Sequence, residues 1–475
     1  MTRDLADLSA IEALARFRSL ELSPLELLDA LIERAEATEP IVNAFTDTYF
    51  EQARKQAAAA ADAYARGTAR PLEGLAIAVK DEDVIAGQRT TMGSALLEDW
   101  VPEETSPLAQ RILDAGAVVH ARSAAPEFSM VIFTWSFLHG VTRNPWNPAI
   151  TPGGSSGGSG AALAAGSTTL ATGSDIGGSI RIPASMCGVV GFKPPWGRVP
   201  EMPPWNREPF LASGPLAKTV ADAALLQNVI SGPVVGDLYG LPRLEIPDQL
   251  PSVTGMRVAL SADLGLFEPD REVVAAVGDA GSRLQELGAE VELVELEWAS
   301  SLLDAAEDHL SFLMGSIMRA DLAEGWESRV TPYVREFFEQ PTVSTEQWIA
   351  GWEVMDRAYL ELERKVSGAG FDALICPTLT TTVIPANWGH PETGTPASLD
   401  EIYAVAMTMP FNVLGRLPVL DIPAGIAPST GVPIGMQIVG PMNRDDVPFR
   451  IGAALEVADG PLLDRARPPM IQAKK

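Results

Sequence analysis

The chain has 475 residues, 46% hydrophobic and 20% charged, enough for a sizeable core and ordinary for a folded globular protein. Its formal net charge of −27 would repel phosphate backbones and anionic lipid heads, which excludes nucleic acid and membrane surfaces as expected partners. Cys187 and Cys376 are the only cysteines, too few for a disulfide framework or a zinc cluster, so a reducing cytoplasm is the expected compartment.

Met1 to Ala10 carries Asp4 and Asp7 with no basic segment leading into an apolar run, and no secretory signal is expected there. From Ser9 to Ala37 apolar residues recur at helical spacing (Ala13, Leu14, Phe17, then Leu27, Leu28, Leu31), with Ser23-Pro24 as an N-cap and first-turn pair between two helices. The Ala-rich stretch Gln52 to Ala65 predicts a further helix, ended by the Gly67 to Gly74 punctuation. Leu75 to Val79 then reads as a short buried strand that delivers Lys80-Asp81-Glu82-Asp83 at its end. After a helix over Leu108 to Ala115, strand-like runs recur at Ala117 to His120, Met256 to Leu260, Val291 to Leu296 and Ala373 to Cys376, separated by helical stretches. That alternation predicts an α/β layered fold. Pro233 to Pro251 and Thr378 to Pro396 read as long surface connections, the second as one wall of a pocket. No linker or fixed repeat divides the chain, so residues 1–475 are expected to form one unit.

The least ordinary composition is Thr151-Pro-Gly-Gly-Ser-Ser-Gly-Gly-Ser-Gly160, which runs straight into the strong helix former Ala161-Ala-Leu-Ala-Ala. A flexible linker would have this composition, but the glycines sit where a backbone turns into a helix N-terminus. A phosphate loop would need Lys-Ser/Thr after the glycines, and that pair is missing. Gly153 to Gly157 also fits a G-x-S-x-G nucleophile elbow, which would make Ser155 the nucleophile of a Ser-His-Asp hydrolase with His309 or His390 downstream. Farther on, Gly173-Ser-Asp-Ile-Gly-Gly-Ser179-Ile-Arg181 puts small residues around a serine, so that several backbone N–H groups can converge on a developing oxyanion; a tight structural turn would carry the same glycines. Lysine is scarce: only Lys55, Lys80, Lys193, Lys218, Lys365, Lys474 and Lys475 occur, and Lys80 alone directly ends an apolar run. A snorkelling lysine explains that position, whereas a buried one can lose its proton and act as a base.

Pro71-Leu-Glu-Gly-Leu-Ala-Ile-Ala-Val-Lys80-Asp81, Pro152-Gly-Gly-Ser-Ser-Gly-Gly-Ser159 and Gly173 to Pro183 resemble, in order and spacing, the amidase signature family. The signature region spans about 71–200, and weaker echoes at Asn144-Pro-Trp, Ile375-Cys-Pro377 and Gly431 to Gln437 extend the resemblance over nearly the whole chain. The resemblance implies a single large α/β domain with a mixed, mainly parallel sheet covered by helices on both faces, and N-terminal helices at about 9–65. It implies that Ser179 is the nucleophile, Ser155 a bridging serine on a cis peptide bond, and Lys80 the base. The backbone N–H groups of Ile176, Gly177, Gly178 and Ser179 would form the oxyanion hole, with neither cofactor nor metal.

The implied activity is hydrolysis of a carboxamide-type C–N bond in a small-molecule amide, anilide or hydrazide. Asp175 and Arg181 bracket the oxyanion loop as an ion pair, or Arg181 meets a substrate carboxylate. Ser129, Met130, Trp135, Arg181 and Trp196 are expected at the substrate, because the run Met130 to Phe137 is unusually bulky and would favour an apolar or aromatic acyl group. Arg122-Ser-Ala-Ala-Pro-Glu127 and Pro195-Trp196 depart from common family patterns. The rival reading is an amidotransferase subunit that works only with partner chains, although the segments after the signature that characterise the glutamine-handling subunit of tRNA amidotransferase are not found. Association into a homodimer stays open.

Overall fold

The computed structural model describes residues 4–472 apart from 321, 323, 324 and 396, so Met1, Pro396 and the two terminal lysines lie outside it. The N-terminal helices form where their caps direct. Ser9 and Ser23 each accept a first-turn N–H and are answered by Glu12 and Glu26, starting helices Ala10–Arg18 and Pro24–Val42, and Phe50–Arg66 follows. In chain order the strands are β1 (Phe45–Thr48), β2 (Ala76–Lys80), β3 (Val118–Ser123), β4 (Trp135–Ser136), β5 (Gly140–Val141), β6 (Leu170–Asp175), β7 (Val190–Lys193), β8 (Ala212–Ala217), β9 (Arg257–Leu260), β10 (Glu290–Leu293), β11 (Ala373–Pro377), β12 (Val419–Ile426) and β13 (Pro433–Val439).

All but the β4–β5 hairpin join one eleven-stranded sheet, ordered β1-β3-β2-β6-β8-β7-β12-β13-β11-β9-β10. Parallel pairing links β2 to β3 and β6 on one flank, and β9 to β10 and β11 on the other. Antiparallel pairing runs through the centre from β6 to β11. This is one large α/β domain on a mixed sheet, as expected.

Side chains alternate across each strand, and the two sheet faces are packed differently. Ile77 and Val79 of β2 enter an apolar cluster with Phe17, Leu28 and Leu108 from the covering helices. Ala78, between them, faces the opposite way into a cluster of small residues with Ala161, Leu163 and Ala184. The small residues let the fully buried helices Gly157–Ala165 and Arg181–Cys187 lie close on the sheet. Each of these helices begins within two residues of a candidate serine, Ser155 or Ser179, so the packing of this face sets where both serines stand.

Gly158 shows how little space remains: a Cβ there would sit 2.3 Å from the Ala124 nitrogen and 2.5 Å from the Ala44 carbonyl oxygen. Both neighbours are backbone, so the helix itself must move. Gly158→Ala is therefore expected to destabilise the protein by about 1–3 kcal/mol despite the better helix propensity of alanine, read as a lowered Tm; an unchanged or raised Tm would contradict this packing.

Candidate functional site

β2 delivers Lys80 to the site. Its backbone N–H donates to Thr172 Oγ1 at 3.0 Å, and its carbonyl accepts from Arg122 Nη2 at 3.0 Å. The side chain is wholly buried. Its Nζ lies 2.8 Å from Ser155 Oγ, 2.9 Å from Ser174 Oγ and 3.2 Å from Glu82 Oε2. Burial pushes the amine below its ordinary pKa, because the charged form loses its water; the nearby carboxylates of Glu82, Asp83 and Asp175 oppose that shift.

Ser155 follows the Gly153-Gly154 turn and is joined to Gly154 by a cis peptide bond, the geometry expected of it. Its neighbour Ser156 donates its backbone N–H to the Ser179 carbonyl at 3.1 Å, which ties the two serine segments together. Ser155, Ser174 and Ser179 open on one cavity of about 700 Å³. The histidines proposed for a nucleophile elbow are engaged elsewhere. His309 Nε2 is 3.0 Å from Glu208 Oε1 and its Nδ1 accepts from Trp348 Nε1, while His390 packs on Trp135.

The loop between β6 and helix Arg181–Cys187 is organised by Asp175. One carboxylate accepts from the backbone N–H groups of Gly178 at 2.8 Å, Ile180 at 3.1 Å and Arg181 at 3.3 Å. This corrects one expectation: the Gly178 N–H turns into Asp175 rather than towards the cavity, so Gly178 leaves the oxyanion set, and Ile176, Gly177 and Ser179 are the loop residues that line the cavity. Gly178 adopts φ +125°, and a Cβ there would lie 2.1 Å from Thr408 Oγ1, so the backbone path requires glycine.

Arg181 is corrected as well. It is buried and pairs with Asp175 through Nε at 2.9 Å and Nη2 at 2.8 Å. Its other donors go to Gln437 Oε1, the Thr408 carbonyl and Asn412 Oδ1. It has no donor left for a substrate carboxylate. Although burial alone would raise the Asp175 pKa, the guanidinium beside it and the Asn412 amide hold it down to about 2.

Of the residues expected at the substrate, Ser129 and Met130 line the cavity together with Val131 and Ile132. Trp135 does not: it is buried among Phe133, Tyr333 and His390, with its Nε1 donating to the Trp388 carbonyl. Trp196 packs against Tyr239 beneath the Arg416 guanidinium, away from the cavity. The long connection expected as a pocket wall, Thr378 to Pro396, supplies no lining residue among its described residues 378–395. That wall is built by Met202 to Trp205, by Leu310, Met314 and Met318, and by Phe337, Tyr403 and Met409. The spacing of four that puts Leu310, Met314 and Met318 on one helix face was visible in the sequence, but such a stripe reads equally as core. Glu82, Asp83 and Glu201 are also lining residues, and burial raises Asp83 to about 6 and Glu201 to about 8. Among the described residues no cluster of three or more metal-ligating side chains occurs, and no helix is long and apolar enough to cross a membrane.

The amidase family profile matches residues 26–447. The chain is 36% identical to a glutamyl-tRNA(Gln) amidotransferase subunit from Synechococcus sp. (strain CC9605), covering 90% of this chain and 91% of that one. It is 32% identical to an acylamidase of Rhodococcus erythropolis, covering 94% and 95%. Among solved structures it resembles a bacterial aryl acylamidase of the amidase signature enzymes, with a TM-score of 0.86, 28% identity and coverage of 95% and 96%.

Asp175→Asn tests the loop. It should leave Arg181 buried without its counter-charge and release the Gly178 turn, so kcat should fall about 100-fold or more with KM little changed, alongside a lower Tm. A kcat within about threefold of the parent would show that the loop holds its shape without the pair.

Proposed function

The chain belongs to the amidase signature family, and on that premise we propose that it is an amidohydrolase that cleaves C–N bonds of small amides through an acyl-enzyme on Ser179. The observation that carries this reading is the buried Lys80 amine hydrogen-bonded to Ser155 Oγ at 2.8 Å, with Ser155 and Ser179 lining one cavity. Neutral Lys80 takes the Ser155 proton while Ser155 takes that of Ser179, whose Oγ bonds to the carbonyl carbon. The carbonyl electron pair moves onto oxygen, where the N–H groups of Ile176, Gly177 and Ser179 receive it. The proton then returns through Ser155 to the leaving nitrogen, the C–N bond breaks, and water clears the acyl group. A hydrazide nitrogen accepts that proton as an amide nitrogen does, so hydrazides and anilides fall within the same chemistry. The reaction uses side chains and backbone alone. The two buried free thiols, Cys187 and Cys376, support placing it in the reducing cytoplasm.

The acyl group is apolar, preferably aromatic. Met130, Val131, Ile132, Leu310, Met314 and Phe337 offer it apolar walls, and Trp205 an aromatic one. The second reading, a component that works only with partner chains, is favoured by the Synechococcus relative. Against it, the cavity is lined by Glu82, Asp83, Glu103, Glu104 and Glu201 and, among the described residues, by no lysine or arginine, so the carboxylate of a free amino acid such as glutamine would lack a cationic partner.

Both readings meet one experiment on the purified chain alone: kcat/KM for benzoyl, acetyl and malonyl derivatives of one amine. The benzoyl compound should lead the acetyl by about 10- to 200-fold, the worth of one well-filled apolar pocket, with the malonyl compound last. A malonyl preference would overturn the apolar site, and inertness relieved by adding partner chains would establish the partner-dependent reading.

A further inference from the structure

From this geometry we infer that Glu82 is a positioning residue for the proton relay, aiming the lone pair of neutral Lys80 at Ser155 and holding the ammonium that forms when the proton arrives. The inference rests on the reading of Lys80 as base. Glu82 stands two residues after Lys80, beyond the end of β2, at a position the triad does not use.

The argument is one of counting donors. A neutral amine has two N–H groups and one lone pair, and an ammonium has three N–H groups. Lys80 Nζ has three oxygen neighbours: Ser155, Ser174 and Glu82. A carboxylate only accepts, so Glu82 takes one N–H in either state. With Ser174 accepting the second, the lone pair of the neutral amine is left facing Ser155 Oγ at 2.8 Å, the one hydroxyl that must give up its proton. After transfer the same three oxygens accept the three N–H groups of the ammonium, so no neighbour has to reorganise. Without Glu82 an N–H of the neutral amine could turn onto Ser155 and misdirect the lone pair.

The surroundings fix Glu82 for this task. Ser129 Oγ donates to its Oε2 at 2.5 Å. Ser129 and its predecessor Phe128 both adopt left-handed backbone, φ +58° and +53°, which non-glycine residues seldom do and which functional sites tend to retain. The Arg122 guanidinium donates to the carbonyls of Lys80 and Asp83, pinning the backbone on either side of Glu82. Asp83 is turned away to accept from Thr172 Oγ1 at 2.9 Å, Asp175 is paired with Arg181, and Glu201 takes the Ser213 N–H. Glu82 is thus the carboxylate in direct contact with the amine.

The test follows the pH dependence of two rates, hydrolysis of an aryl amide and fluorophosphonate labelling of Ser179, in the parent, Glu82→Gln, Glu82→Asp, Ser129→Ala and Lys80→Ala. Loss of the Glu82 charge makes Lys80 easier to deprotonate, so in Glu82→Gln the rising limb should move to lower pH by about one unit or more while the plateau kcat drops about tenfold and KM barely changes. Glu82→Asp keeps the charge and should hold the limb closer to its parent position. Ser129→Ala leaves Glu82 undivided for Lys80 and should move the limb the other way; this variant also decides the question if Glu82→Gln does not fold. A limb that stays in place in both variants, or moves the same way in both, overturns the inference. A limb that survives in Lys80→Ala removes the base reading itself; one that vanishes there yet ignores Glu82→Gln removes only the role of Glu82.

Discussion

The site depends on a lysine amine sealed from water at the end of a buried strand. An ammonium taken out of water is costly unless it is paired and fully hydrogen-bonded, so the amine either loses its proton or finds acceptors. Lys80 is placed between these outcomes, with burial drawing it towards neutrality and Glu82, Asp83 and Asp175 drawing it back. A base that must accept a proton and then return it within one turnover needs such a balance.

The same rule of pairing governs the oxyanion loop. Asp175 and Arg181 are both buried, each is satisfied by the other and by Asn412, and Gln437 accepts a further Arg181 N–H. Gln437 belongs to β13, deep in the antiparallel centre of the sheet, so the loop that carries Ser179 is braced by strands far away in sequence. Breaking one partner would leave a bare buried charge, costing about 3–5 kcal/mol. The bracing holds the loop's backbone in place, which is the preorganisation that the proposed oxyanion hole requires.

The sequence made the parallel flanks of the sheet legible because β2, β9 and β11 are mostly apolar and β3 opens on Val118-Val119, with helices between them. The central strands were not. β6 (Leu170–Asp175) and β8 (Ala212–Ala217) contain Gly173, Gly214 and Pro215, residues that weaken a strand pattern, and yet they pair along their length. Tertiary packing overrode local preference there. In the site, the family resemblance singled out Lys80, Ser155 and Ser179, which the glycine and serine motifs alone left open, whereas the direction of single N–H groups was not encoded in any pattern, so the Gly178 N–H differs from the expectation. The bulky run after Ser129 was half informative. Met130 to Ile132 face the cavity, but Phe133 and Trp135 turn into the core, a division that depends on the backbone path and not on residue type. Arg181 could not be assigned from sequence because its partners Asn412 and Gln437 lie more than 200 residues away.

The central claim is that Lys80 works as a neutral base, and direct titration of its side chain tests it. With so few lysines in the chain, isotope labelling of lysine and comparison with Lys80→Ala assigns the resonance and separates it from Lys193, which burial also lowers, to about 7. The account predicts that Lys80 titrates well below the ordinary lysine value of about 10.4 and that its midpoint coincides with the rising limb of activity. A Lys80 that stays protonated until near 10.4 while the enzyme is fully active at neutral pH would contradict it.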